Sequence, residues 1–315
     1  MPIKIPNDLP ARRILEEEGV MVIKESDAMR QDIRPLRLAL LNLMPNKIRT
    51  EAQIARLIGS TPLQVEMTLL QTGSYRPRNT PKKHLIDFYK TWDEVRHEKF
   101  DGLIVTGAPI ETMPFEKVDY WRELTAIFDW AQENVFRGFY ICWGAQAALH
   151  HFHGVPKHEL ERKMFGVFSH RLTGLRSSLL IGFNDEFSIP VSRHTEVRRE
   201  EIPDKPGLNM LAESPVSGVC LMEDIPHRAV YMFNHLEYDA DTLKGEYDRD
   251  LDAGAEIQLP KNYFPGDDPE QAPVNYWRAY AHLLLWNWIN EMYQHTPYDI
   301  SQIGREGAPT LAEAG

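Results

Sequence analysis

Short, nearly continuous apolar runs alternate along the chain with stretches whose apolar residues recur every three or four positions. The run from Pro35 to Pro45, built on Leu36, Leu38, Leu40 and Leu41, predicts a strand stopped by Pro45. Thr50-x-x-Gln53 fits a capping box, after which Ile54, Leu57 and Ile58 carry the apolar face of a helix to Gly59. Gln64 to Leu70 reads as a second strand, Lys83 to Glu98 as a helix, and Gly102 to Thr106 as a third strand broken by Gly107-Ala108-Pro109. Trp121, Leu124, Phe128, Ala131 and Val135 mark one face of a helix leading into the apolar run that ends at Cys142. A small-residue stretch then opens a helix that closes at Gly154-Val155-Pro156.

Strands of this kind, separated by helices and apolar on both faces, indicate an α/β fold with a mainly parallel sheet flanked by helices. Ligands of such sheets bind outside the carboxyl ends of the strands, where Gly107, Cys142 and His235 are expected to lie. Beyond residue 160, Met164 to Phe168, Leu179 to Phe183, Gly218 to Met222 and Arg228 to Phe233 are further strand candidates. Asp241 to Asp252 and Tyr276 to Met292 are helix candidates, with Trp277, Trp286 and Trp288 read as packing residues. No linker or repeat divides the chain. It reads as one domain over 36–300, preceded by a polar extension over 1–35 with a short helix near Arg12 to Glu18, and followed by a flexible tail over 301–315.

The formal charge of −11 over 315 residues argues against non-specific binding of nucleic acid or of an anionic membrane surface. Two cysteines, Cys142 and Cys220, make no disulfide framework, and no stretch reaches the roughly 20 apolar residues of a membrane span. A cytoplasmic protein with a usable thiol is the expectation.

A cysteine between strand and helix sits where an elbow pushes a nucleophile out of the sheet and where helix N–H groups favour a thiolate and an oxyanion. A buried cysteine packing as a small hydrophobe fits Cys142 equally well. The balance shifts at Asn234-His235-Leu236-Glu237, just past a strand, where His235 and Glu237 project to one face. A carboxylate there can hold the imidazole's tautomer while its other nitrogen faces a thiol, the logic of a nucleophile, a base and an orienting acid.

A cysteine elbow followed by His-x-Glu resembles the class I glutamine-amidotransferase-like fold, a flavodoxin-like architecture. Other stretches tighten the resemblance to the homoserine O-acyltransferases of methionine biosynthesis. They include Asn42-Leu43-Met44-Pro45-Asn46-Lys47, Phe100-Asp101-Gly102-Leu103-Ile104-Val105-Thr106-Gly107-Ala108-Pro109, Cys142-Trp143-Gly144-Ala145-Gln146-Ala147, Ser192-Arg193-His194-Thr195-Glu196 and Asn262-Tyr263-Phe264-Pro265. The resemblance implies acyl transfer from acyl-CoA to L-homoserine, with Cys142 as nucleophile, His235 as base and Glu237 as its orienter. It also implies an oxyanion hole that includes the Trp143 N–H, and a homodimer. Lys163, Ser192 and Arg249 fall on substrate-holding positions of that family, and Lys47 lies in its NLMP-x-K motif. No cofactor and no metal is implied, acetyl-CoA being a co-substrate.

The residue after Gly-Ala-Pro-x is associated in the family with donor choice, and Glu111 stands there where succinyl users tend to have Gly. A negative side chain repels a succinyl carboxylate, so acetyl-CoA is the expected donor. Succinyl-CoA, a glutaminase reaction, and a non-catalytic redox or binding role for Cys142 are the alternatives. The sequence departs from the family at Val191, where His is usual, and at Asn234, where Gly is usual. His150-His151-x-His153 has a metal-like spacing, yet imidazolium is favoured at a helix C-terminus without any metal.

Overall fold

A computed structural model describes residues 3–4, 9–17, 22–23, 34–75 and 80–304. In chain order the elements begin with β1 (Ile3–Lys4), α1 (Pro10–Glu17), β2 (Val22–Ile23), β3 (Leu36–Leu41), α2 (Lys47–Gly59), β4 (Val65–Gln71), α3 (Lys82–Phe88), β5 (Tyr89–Thr91), α4 (Trp92–Val95) and β6 (Phe100–Val105). They continue with α5 (Trp121–Asn134), β7 (Val135–Ile141), α6 (Trp143–His153), β8 (His158–Leu172), β9 (Glu186–Glu196), β10 (Leu208–Ser214), β11 (Gly218–Asp224), β12 (Ala229–Met232), α7 (Thr242–Asp252) and α8 (Arg278–His295).

One sheet runs in the order β2-β1-β4-β3-β6-β7-β12-β11-β10-β8-β9, with β5 beside β4. The half from β2 to β12 is parallel, and β11, β10, β8 and β9 extend it antiparallel. Side chains alternate across the parallel strands. Leu38, Leu40, Ile104, Phe139 and Ile141 pack under Ile54 and Ile58 of α2 and Leu284 and Trp288 of α8. Ala39, Leu41, Leu103, Val105 and Tyr140 pack under Leu124 and Phe128 of α5 and Ala145 and Ala148 of α6. The chain leaves β3 for β4 on one side and returns to β6 on the other, so the loops after β3 and β6 part at a crevice. Arg137 of β7, 1% exposed, ties the sheet together by pairing with both Glu223 of β11 and Glu291 of α8.

Several expectations are corrected by these contacts. Thr50 does not cap α2: the cap is Asn46, whose Oδ1 accepts from Arg49 N at 3.3 Å, and the Thr50 hydroxyl donates back to Asn46 O. The helix expected from Lys83 to Glu98 is broken at Tyr89. There the ring enters the core and its hydroxyl donates to the buried Glu51 at 2.5 Å, while Tyr89–Thr91 pairs with β4. Thr91 and Glu94 then form a capping box for α4. Leu179 to Phe183 is no strand but a single 3-10 turn, Ser178–Leu180, whose leucines are buried and whose carbonyls at 179 and 181 take the Asn287 amide.

The lead-in read as an extension is in part structural. α1 buries Ala11 and Leu15 in the core, and β1 pairs with Val65 and Glu66 of β4. At the other end Ile300–Gln302 forms a 3-10 turn and Ile303 is 3% exposed, so the packed chain runs past 300; residues 305–315 of the expected tail lie outside the described residues. No described helix is long and apolar enough to cross a membrane.

Candidate active site

β7 ends at Ile141 and α6 begins at Trp143, leaving Cys142 to make the whole turn at φ 51° and ψ −117°. Its N–H donates to Met232 O at 2.7 Å and its carbonyl accepts from Ala145 and Gln146, so the neighbouring strand and the helix fix this strained backbone. The turn needs two glycines around it. A Cβ on Gly144 would stand 2.7 Å from Thr106 O, and one on Gly107 3.2 Å from Cys142 Cβ and 3.6 Å from Trp143 N. Trp143 N–H, first in its helix, has no intrahelical acceptor by position and is available to an oxyanion above the thiol.

β12, beside β7, ends at Met232 and delivers His235 alongside Cys142. His235 N donates to Pro190 O at 3.0 Å, Nδ1 meets Glu237 Oε1 at 2.7 Å, and the ring hydrogen-bonds the Cys142 thiol. Burial opposes the imidazolium, yet Cys142 and Glu237 outweigh it and raise the His235 pKa well above its ordinary value. An imidazole made more basic in this way and set beside the thiol is placed to take its proton.

Asn234, at the departure from glycine, needs no left-handed backbone, since its φ is not positive. Its fully buried side chain instead takes the Arg193 guanidinium on Oδ1 and meets His170 Nε2 with its amide at 3.0 Å. Arg193 also reaches Ser217 O, so β9 braces the loop that carries the base. Val191, where the family's histidine is missing, is fully buried on the same strand.

Cys142 and His235 floor a cleft of about 390 Å³ at the carboxyl edge of the sheet, and Glu111, Lys163, Ser192 and Arg249 stand in its walls. Lys163 Nζ lies 3.1 Å from Glu246 and 3.2 Å from Asp250, with its ammonium 4.1 Å from the Phe165 ring. Ser192 donates to Glu246 as well. Arg249 is held by Asp250 at 2.6 Å but keeps a 65% exposed side chain. Glu111 accepts from His194 N, and Lys157 donates to the Glu111 and Met113 carbonyls, fixing the loop. Lys47 is the sequence candidate that the fold does not bring to this cleft. It is 3% exposed, donates to Asn42 O, and has its pKa brought down to about 8 by burial, against the pull of Glu51.

Glu246 and Tyr238 were not legible as site residues. Although burial opposes its ionisation, Lys163 and the hydroxyls of Ser192 and Tyr238 keep the Glu246 carboxyl below its usual range. Tyr238 lies flat on the His235 ring, centroids 4.1 Å apart, with its hydroxyl 2.7 Å from Glu246. The signal in the sequence was the helical spacing of Glu246 with Arg249 and Asp250, which puts all three on one face of α7. The histidines after the elbow diverge: His150 stacks on Phe115, His151 meets Asp129, and His153 meets Asp224. His153, Asp224 and His227 bring their ligand atoms within 4.8 Å of one another, but the Lys205 ammonium stands 3.3 Å from His153, and the group sits at the edge of the sheet opposite the cleft.

The fold is similar to a putative GMP synthase component from Thermoplasma acidophilum (TM-score 0.54, 13% identity, 83% of this chain and 96% of that one). It is likewise similar to a glutamine amidotransferase of Thermotoga maritima (TM-score 0.53, 13% identity, 82% and 99%). At the level of sequence the chain is 60% identical over 305 residues to a homoserine O-acetyltransferase of Hyphomonas neptunium, covering 97% of this chain and 100% of that protein. It is 58% identical to another so named from Chelativorans sp. strain BNC1, covering 97% and 98%. The family model described as homoserine O-succinyltransferase matches residues 2–298. With an elbow, a base and a charged cleft assembled from segments across that whole span, the chain belongs to the homoserine O-succinyltransferase family.

Proposed function

We propose that the chain transfers an acetyl group from acetyl-CoA to the hydroxyl of L-homoserine through a thioester on Cys142. The observation that carries the reading is the contact of Cys142 and His235 on the floor of a cleft whose wall holds Lys163, Ser192 and Arg249, with Glu237 holding the far side of the His235 ring. The relatives named for acetyl transfer support the donor.

His235 takes the thiol proton, and Cys142 Sγ attacks the acetyl carbonyl. The negative oxygen forms against Trp143 N–H and the Gly107 loop. The bond to the CoA sulfur then breaks, and that sulfur takes the proton from His235. In the second half His235 takes the proton of the homoserine hydroxyl, whose oxygen attacks the thioester. Release of the ester leaves Cys142 to recover the proton. Glu237 keeps the imidazole oriented throughout, and Tyr238 limits its tilt. Homoserine's carboxylate fits the exposed guanidinium of Arg249, and its ammonium fits Glu246.

Succinyl-CoA, the donor in the family model's name, is disfavoured by Glu111 in the cleft wall. A cytoplasmic homodimer completes the reading, and light scattering would measure the oligomer. The decisive experiment is intact-protein mass spectrometry after mixing with acetyl-CoA. One acetyl increment is expected, lost in Cys142→Ser and discharged by homoserine; a wild-type protein that never acquires the increment would remove the mechanism.

A further inference from the structure

Beside the cleft lies a second hollow of about 440 Å³, within the roughly 300–1,000 Å³ of small-molecule sites. It sits in the crevice between the loops after β3 and β6, the switch point of the parallel sheet. Met44, Ala108 and Pro109 wall both hollows, so the second opens alongside the one that contains Cys142.

The two differ in chemistry. The cleft walls carry Lys163, Glu246 and Arg249, which suit a small zwitterion. The second hollow is faced mostly by apolar groups, Leu43, Ile110, Met113 and Val118 with the Tyr75 and Tyr120 rings in contact at 5.7 Å between centroids, and its charged groups are one cation, Lys47, and one anion, Asp119. A third hollow, of about 320 Å³, shares only Thr112 with the cleft and is faced by Glu116, Glu159, Lys157 and His150, a charged lining unlike an apolar slot. An acyl thioester on a long, neutral, amide-bearing arm needs a mostly apolar slot that ends at the thiol.

We infer that the slot between residues 42–45, 108–113 and 118–120 receives the pantetheine arm of the acyl-CoA donor, leaving the charged cleft to the acceptor. Donor and acceptor then approach Cys142 from different sides. The inference rests on the acetyl-transfer reading of the cleft.

Met113, 41% exposed at the slot, and Tyr75, 39% exposed, can be changed without opening the core. Met113→Trp fills the slot and Tyr75→Ala removes a wall. Each is assayed with acetyl-CoA and with S-acetyl-N-acetylcysteamine, a thioester that lacks most of the arm. Met113→Trp is expected to raise KM for acetyl-CoA about tenfold, the equivalent of about 1.4 kcal/mol. KM for homoserine and the rate with the short thioester stay as in wild type, which also reports an intact fold. Tyr75→Ala shifts the same constant in the same direction. Unchanged KM for acetyl-CoA in both variants overturns the assignment, as does an equal loss with the two donors. If wild type gains no acetyl group on Cys142 from either donor, the acetyl-transfer reading fails and takes this inference with it; a labelled wild type with an unaffected Met113→Trp refutes the slot alone.

Discussion

Replacing Glu111 separates the charge of the donor site from its size. The carboxylate is held on His194 N in the wall of the cleft that contains Cys142, so it cannot swing clear of an incoming acyl chain. A succinyl carboxylate about 4 Å away would meet roughly 4 kcal/mol of repulsion at an effective dielectric near 20. Lys157 and Arg193 both feel the Glu111 charge and offset part of it. The net discrimination therefore falls between about tenfold and about a thousandfold, at 1.4 kcal/mol per decade. Glu111→Gln keeps the length and an acceptor for His194 N, whereas Glu111→Gly removes charge and volume together. The assay is kcat/KM for succinyl-CoA relative to acetyl-CoA, followed by released thiol. The ratio should rise in Glu111→Gln by at least about tenfold and further in Glu111→Gly. A rise in the glycine variant alone would assign the effect to volume, and an unchanged ratio in both would refute the electrostatic argument.

Glu237→Gln should lower kcat by about 10²–10⁴, the range of a general base that loses its support, and move the His235 titration followed by NMR to lower pH. His170 is buried, and desolvation together with Arg193 depresses its pKa from 6.5 to about 4, so the folded chain holds it neutral. Its contribution is complete above pH 6.5 and is lost as pH falls towards 4, up to about 3 kcal/mol; urea titrations across that window should show an excess loss that is absent in His170→Asn. Gly144→Ala should destabilise by about 1–3 kcal/mol, because the added carbon would press on the carbonyls of Thr106 and Val105, and the denaturation midpoint reports it.

The parallel half of the sheet was legible because its strands are buried on both faces and read as nearly continuous apolar runs, as in Leu36–Leu41 and Phe100–Val105, each interrupted by a single charge, Arg37 or Asp101. His235 and Glu237 were legible because their coupling is local, two residues apart past a strand end. Of the antiparallel half only the apolar parts of β8 and β11 were legible, as Met164 to Phe168 and Gly218 to Met222. β8 extends from His158 through charged residues before its apolar part, and β9 carries Pro190 within it, so their pairing is a tertiary fact that no local pattern announces. Tyr89 broke a helical spacing because a buried carboxylate, distant in sequence, claims its hydroxyl. Lys47 resembled a ligand by motif, but the turn before α2 folds its ammonium back onto Asn42.

The backbone at Cys142 adopts angles that only a residue without a side chain takes comfortably. Such a conformation stores about 1–3 kcal/mol. Glycine in its place would release that tension, so an inert Cys142→Gly chain should resist urea better than the working protein. Selection for a tougher molecule and selection for a reactive sulfur thus pull position 142 in opposite directions, and a lineage freed from its chemistry would be expected to drift there first.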